Sequence, residues 1–350
     1  MFMQGTLVEC VPNFSEGRDK HLIEKITRPI REANGVSLLD IDMGYDFNRT
    51  VVTMVGEPEE VLNAVIECTR IATELIDMRK HSGEHARMGA VDVVPFIPIR
   101  GISMEECVTL SERYANAVSE QLDLPVFLYA EAARTPQRSS LPDIRRGQYE
   151  GMAEKITSPE WKPDYGPAEF KPKMGVTATG ARAILIAYNV NLDTDDKSKA
   201  NSIAAKIRTS GSLVKDENGE KIMGEDGKPL RKPGMFHSLQ AAGWMYDSST
   251  AQVSMNLLDY DVTGLHQVTE AIRLEAETIG LKVTAGELVG LVPLNAMKSA
   301  GIFYNDDESV TDEKSIVEKA ISGLMLDRLG AFDPQSCIIE WAIAGGPNNE

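Results

Sequence analysis

The spacing of apolar residues switches between the strand period of two and the helix period of 3.6 in a fixed order, and that order limits the folds open to the chain. Thr6 to Pro12 is a short apolar strand candidate, followed by the loop Asn13-Phe14-Ser15-Glu16-Gly17. Ile23, Ile26 and Ile30 share one face of a helix expected from Asp19 to Ala33. Val36 to Asp42 and Thr50 to Val55 read as strands around the turn-forming stretch Gly44-Tyr45-Asp46-Phe47-Asn48. Val61, Val65, Cys68, Ala72 and Leu75 stripe a second helix, with Pro58 in its first turn, and Val91 to Ile99 is the next strand. The resulting order, β-α-β-β-α-β, is the split βαβ unit of ferredoxin-like folds. A further helix begins at a capping box made by Ser103 and Glu106, and Val126 to Tyr129 is a last short strand.

The second half repeats this order. Ala183 to Asn191 is a strand and Lys197 to Arg208 a helix. Leu239 to Tyr246 and Ala251 to Leu257 form a hairpin, Thr263 caps a helix that reaches Ile279, and Leu281 to Ala285 closes the set. The length of 350 residues suits two domains, expected at 1–182 and 183–350. The expected fold class is therefore α+β: two ferredoxin-like (βαββαβ) subdomains, and any active site is expected in the cleft between them, a usual location for small-molecule sites. Arg134 to Gly175 reads as an irregular connection, long for a passive linker and so either functional or disordered. Ser212 to Pro233 reads as a mobile surface loop.

Composition narrows the function classes. Hydrophobic residues make up 42% of the chain, enough for substantial cores. No apolar run approaches the roughly 20 residues of a membrane helix, and the N-terminus does not read as a signal peptide, so a cytoplasmic protein without a membrane partner is expected. Cys10, Cys68, Cys107 and Cys337 lack metal-ligand spacing and read as reduced thiols. A net charge of −17 argues against a nucleic-acid surface and means that an anionic substrate needs a local basic patch.

The stretch His81-Ser82-Gly83-Glu84-His85-Ala86-Arg87-Met88-Gly89 holds two of the five histidines and leads into a buried strand. Three readings stay open on the residues alone. A metal site is disfavoured because the order differs from H-E-x-x-H, Gly83 opposes helix, and no third ligand set is evident. A plain polar loop is the second reading. Acid–base catalysis is the third, since imidazole titrates near neutral pH and an adjacent arginine can hold a carboxylate.

Longer motifs bear on that choice. VECVPNFSEGRD at Val8–Asp19, LLDIDMG at Leu38–Gly44, NRTVVTMVG at Asn48–Gly56 and LIDMRKHSGEHARMGAVDVVPFIPIRG at Leu75–Gly101 resemble the glutamate formimidoyltransferase family. This is the formiminotransferase part of formiminotransferase-cyclodeaminase. The resemblance continues through Tyr129–Arg134, Trp161–Arg182, Gln252–Thr263 and Gly286–Pro293, nearly the whole chain in order. It implies a one-carbon transferase of histidine degradation that moves a formimino group between N-formimino-L-glutamate and tetrahydrofolate. Tetrahydrofolate is then a co-substrate and no metal is expected. The alternatives are formyl transfer between 5-formyltetrahydrofolate and glutamate, and a non-catalytic folate-binding protein. The resemblance also implies a homodimer and, in the pathway, a separate cyclodeaminase.

The resemblance makes His85 the catalytic residue, in a loop where the family proline is Ala86. A nearby carboxylate would orient the imidazole, and Asp42 is the candidate, with Asp40 on the same side of its strand. Asn13 is a candidate hydrogen-bonding residue, with simple turn chemistry as the other reading. Arg49, Arg87 and Arg182 are the candidates for holding substrate carboxylates. The family's folate-contacting segment corresponds to Gly166, Pro167, Ala168, Glu169, Phe170, Lys171, Pro172, Lys173, Met174 and Gly175. Phe170 or Met174 would pack on the pterin and the two lysines would attract the tail, although Met174 stands where the family has an aromatic. The following Gly175-Val176-Thr177-Ala178-Thr179-Gly180 lacks the ending of a phosphate loop, so nucleotide binding is not expected.

Overall fold

A computed structural model describes residues 5–224 and 227–345. Its helices and sheets form two compact units, 5–183 and Ile184–Gly345, each with its own core.

The first unit opens with β1 (Leu7–Cys10) and β2 (Asn13–Phe14), two pieces of one strand path broken at Val11-Pro12. Both lie between β4 (Arg49–Gly56) and β5 (Val91–Arg100), and β3 (Val36–Gly44) pairs with the far side of β4. These pairings are all antiparallel, and the spatial order is β3-β4-β1/β2-β5. The sheet then continues in parallel through β7 (Thr177–Ala181) to β6 (Val126–Ala130). The sequence reading placed β6 but missed β7, whose TATGA lacks the bulky alternation that marks a strand.

Three helices cover one face: α1 (Lys20–Glu32), α2 (Pro58–Leu75) and α3 (Met104–Leu122). α1 buries Ile23, Ile26 and Ile30, as their spacing requires. α3 carries the expected Ser103–Glu106 capping box. Between α2 and α3, Thr69 Oγ1 and Tyr114 Oη form a buried hydrogen bond of 2.8 Å.

The connection after Arg134 is only partly irregular. It contains α4 (Leu141–Arg145) and α5 (Gln148–Lys155). Ile144, Met152 and Ile156 pack with Val93, Phe127 and Val176 in a smaller core on the other side of the sheet. β5 is consequently buried on both faces along most of its length.

The second unit runs β8 (Ile186–Leu192), α6 (Lys197–Ile207), β9 (Ser212–Leu213), β10 (Arg231–Lys232), β11 (Leu239–Met245), β12 (Ala251–Leu257), α7 (Leu265–Glu277) and β13 (Val283–Val289). Its main sheet is antiparallel in the order β11-β12-β8-β13. The stretch read as a mobile loop carries the small β9–β10 ribbon, while residues 225–226 within it lie outside the described residues. The N-cap of α7 is Gly264, one residue beyond the expected Thr263, whose hydroxyl instead donates to the His237 carbonyl. The sequence reading did not place the helices α8 (Leu294–Tyr304), α9 (Glu313–Gly323), α10 (Pro334–Cys337) and α11 (Ile339–Gly345); α8 and α9 add to the helical side of this core. The ends of the two expected domains, residues 1–4 and 346–350, also lie outside the described residues.

The strap that precedes β7 is stitched to the strand entrance of β5. Ala90 N donates to Met174 O at 2.8 Å and Val176 N to Met88 O at 3.2 Å. Gly175 makes this crossing possible: its φ is +72°, and an added Cβ would lie 2.3 Å from Met88 O. Gly175→Ala should destabilise the protein by about 2 kcal/mol or more, because strained backbone and a backbone clash combine. Thermal unfolding would read this as a lowered Tm; an unchanged Tm would mean that the strap is not clamped this way.

Candidate active site

Three loops of the first unit meet around Asn48. Its Oδ1 accepts from Gly17 N at 3.0 Å, its Nδ2 donates to Ser82 O at 2.9 Å, and its own carbonyl lies 2.8 Å from His81 Nε2. Asn48 has φ +48°, a left-handed conformation that asparagine tolerates better than most residues. Gly83 crosses so close to this turn that a Cβ there would sit 2.3 Å from Phe47 O. Ser15 adds a buried bond from Oγ to Gly89 O at 2.7 Å. The histidine loop is therefore a fixed object, held from both sides.

Within this frame the structure brings His85, Arg49 and Asn13 together. Arg49 Nη1 lies 2.8 Å from His85 Nε2 and 3.2 Å from Asn13 Oδ1. A guanidinium only donates, so Nε2 accepts and the neutral ring carries its hydrogen on Nδ1. Nδ1 is buried and has no hydrogen-bond partner among the described residues. The ring edge of Phe47 closes one side, with centroids 6.5 Å apart.

The electrostatics hold this imidazole neutral. Burial lowers its pKa first, the charges of Arg49 and Arg145 lower it further, and Asp92 offsets part of this, leaving it at about 4. Arg49 is itself pulled down by burial and by Arg145, against the charges of Asp92 and Asp42. Arg49 Nε and Nη2 and Arg145 Nη1 make no hydrogen bond among the described residues. Free donors on two arginines beside a histidine form the local basic patch that an anionic substrate needs in an acidic protein.

Asp92 organises the group, and the sequence reading missed it. It is 1% exposed in the middle of the unit, on β5. Oδ1 accepts from Met88 N at 2.8 Å, fixing the end of the histidine loop, while Oδ2 takes Nε of Arg145 at 3.0 Å and also its Nη2. The available signal was a single acid inside the apolar run VDVVPFIPI.

The other candidates fall as follows. Asp42, expected to orient the imidazole, is exposed on β3 and makes no hydrogen bond to His85 among the described residues; its charge bears on Arg49 and Asp40. Alternation placed Asp42 on a face of its strand but could not name its neighbours. Arg87 is buried and spends its fork on Glu150, at 2.6 and 3.0 Å, with a further bond to Gln148. It ties the histidine loop to α5. Arg182 follows β7 and donates to the Ala183 carbonyl at 3.0 Å.

In the strap, Phe170 packs on Tyr149 with ring centroids 5.3 Å apart, and Tyr149 Oη donates to Pro172 O at 2.6 Å. Lys173 Nζ donates to Glu74 O at 2.7 Å, near the C-terminal end of α2, where a cation is favoured. Lys171 pairs with Glu169 at 3.3 Å. Met174 is half-buried against the main core. His81 and His85 are committed to different partners, and among the described residues no group of three His, Cys, Asp or Glu could hold a metal ion. No described helix is long and apolar enough to cross a membrane.

Comparison with known proteins matches residues 7–182 to the N-terminal subdomain of the formiminotransferase domain and residues 187–344 to the formiminotransferase domain itself. The chain belongs to the formiminotransferase family. It is 39% identical over 318 residues to a glutamate formimidoyltransferase of Streptococcus pyogenes serotype M1, covering 91% of this chain and 99% of that one. A glutamate formimidoyltransferase of Thermoplasma acidophilum is also 39% identical, over 90% of this chain and 97% of its own. A mouse formimidoyltransferase-cyclodeaminase is 46% identical over 96% of this chain, which spans 60% of that relative's length.

As a formiminotransferase-family site, the group should depend on the Asp92–Arg145 pair. Asp92→Asn leaves a largely buried guanidinium without its counter-charge and should cost about 3 kcal/mol in urea unfolding. A cost under about 0.5 kcal/mol, the size of an ordinary surface change, would contradict the buried pair. The depressed pKa of His85 has its own signature. The unfolded chain binds the proton near pH 6.5 and the folded one only near 4, so this residue erodes stability as pH falls through that window. NMR titration should give a pKa near 4 for His85 and a value closer to 6.5 in Arg49→Met. A wild-type value near 6.5 would refute the buried environment beside the two arginines.

Proposed function

We propose that the chain is a glutamate formimidoyltransferase, moving the formimino group from N-formimino-L-glutamate to N5 of tetrahydrofolate to give 5-formiminotetrahydrofolate and glutamate. The observation that carries this is the bond of 2.8 Å between Arg49 and His85, in a chain whose match to glutamate formimidoyltransferases is nearly full-length. The strand orders β3-β4-β1/β2-β5 and β11-β12-β8-β13 support a ferredoxin-like reading of both units.

The reaction needs a proton removed from one nitrogen and given to another. N5 attacks the formimino carbon, the N5 proton passes to His85, the glutamate nitrogen receives a proton from it, and the carbon–nitrogen bond to glutamate breaks. In the free protein Arg49 covers the lone pair of Nε2. A substrate carboxylate that binds Arg49 and Arg145 draws the Arg49 donor away, uncovers the lone pair and neutralises charge beside the ring. Both effects raise the basicity of His85 toward the working range. Substrate binding thus switches the base on.

Asp92 takes the positioning role through Met88 and Arg145, and Arg87 acts through Glu150 to hold the loop against α5. Asn13 aligns Arg49. The strap from Gly166 to Gly175 binds folate, with Phe170 as its flat apolar element. The cytoplasmic location and homodimeric state implied by the family belong to the same reading. The product requires a cyclodeaminase activity, which the mouse relative's name places in one protein with the transferase.

The test supplies N-formimino-L-glutamate and tetrahydrofolate to wild type and His85→Ala and follows 5-formiminotetrahydrofolate. Activity in the wild type and a loss of about a hundredfold or more in the variant are expected. An inactive wild type that binds folate would overturn the formimino reading in favour of formyl transfer or folate binding alone.

A further inference from the structure

The helices of the second unit pack against one face of its sheet, where Tyr188, Val190, Val253 and Met255 enter the core. The opposite face is polar. Register sets Trp244, Gln252 and Asn191 side by side in one row across β11, β12 and β8, and Ala242, Ser254, Asn189 and Glu287 in the next. Asn189 has a partner there, donating to Glu287 Oε2 at 2.9 Å. Asn191 and Gln252 do not. They are 1% and 4% exposed, their amide oxygens are buried without a hydrogen bond, and neither side-chain amide has a partner among the described residues.

Two adjacent buried amides left unpaired are costly, and native proteins retain few such groups without a reason. We infer that Asn191 and Gln252 form a binding site for the hydrogen-bonding edge of a flat nitrogen heterocycle. On the transferase reading above, on which this identification rests, that heterocycle is the pterin head of tetrahydrofolate. Each amide offers an acceptor beside a donor, the complement of a ring edge that alternates N–H groups with a carbonyl oxygen or ring nitrogen. A carboxylate fits less well: the charged group in the neighbouring row is Glu287, and Lys197, at the Trp244 end of the row, is stacked over that ring at 4.7 Å. The pterin edge and the substrate carboxylates are thus taken by different chemistry, neutral amides for one and arginines for the other.

The experiment uses the full chain with Asn191→Leu and Gln252→Met, singly and together, and two probes: tetrahydrofolate and 6-methyltetrahydropterin, which lacks the glutamyl tail. In the double variant both probes should bind about tenfold or more weakly, with formiminoglutamate binding unchanged. The Tm should hold or rise, because apolar residues of similar shape remove unpaired polar groups. Unchanged binding of both probes would overturn the site, as would a fall in Tm with affinity retained, which marks amides that serve the fold. A wild type that binds 6-methyltetrahydropterin through these residues but transfers no formimino group would sink the transferase reading and leave the site standing. A wild type that transfers it, with variants that bind and transfer normally, would sink the site alone.

Discussion

A carboxylate buried in the interior strand of a sheet is the constraint from which the candidate active site follows. Asp92 lies on β5 where both faces of the strand are covered, so its charge has no access to bulk water. Such a charge survives only if it is paired and hydrogen-bonded. The Met88 amide and the Arg145 guanidinium meet that need. In meeting it they fix the chain on either side of the site: the loop that carries His85 and the helix α4 that carries Arg145. The interaction has a high stability cost if half of it is removed and a modest net value when complete. Its use is in specifying one arrangement of groups that would otherwise titrate and move independently.

That arrangement sets the chemistry of the histidine. A neutral imidazole beside two guanidinium groups is a poor base, since any proton it accepts adds a third positive charge to a partly buried site. The same surroundings make it a willing acid once protonated. The balance between these states is set first by burial and then by the charges around the ring. Asp92 offsets part of the depression, and on the proposed function a bound substrate carboxylate would offset more. On the proposed function, the site would reach a useful proton affinity only when a substrate carboxylate is bound.

The legibility of the fold and of the site differed for physical reasons. α1 and α2 followed from periodicity because each buries a regular stripe, β4 and β5 followed from their apolar runs, and the α3 start followed from a local capping box. β7 did not, because a strand enclosed between parallel neighbours is made there of Thr, Ala and Gly and owes its conformation to partners far along the chain. His85, Arg49 and Asn13 were legible as residue types within motifs, and the structure brings them together. Asp92 and Arg145 were not, because their pairing spans 53 positions and no local period reports it. Asp42, in a suggestive motif, lies exposed on its strand with its charge bearing on Arg49, and alternation alone named none of its neighbours.

The unpaired amides of the second unit were equally invisible to periodicity, which needs only that positions opposite the core be polar. Gln252 and Asn191 satisfy that pattern as well as any surface residue would. What separates them from a surface pair is burial without partners, which only the folded chain reports. Sequence pattern thus assigns faces, and folded geometry reveals which polar positions on those faces have unmet hydrogen-bonding capacity. In the first unit unmet capacity lies on arginine donors beside His85, which suits anions. In the second it lies on neutral amides, which suits a ring edge.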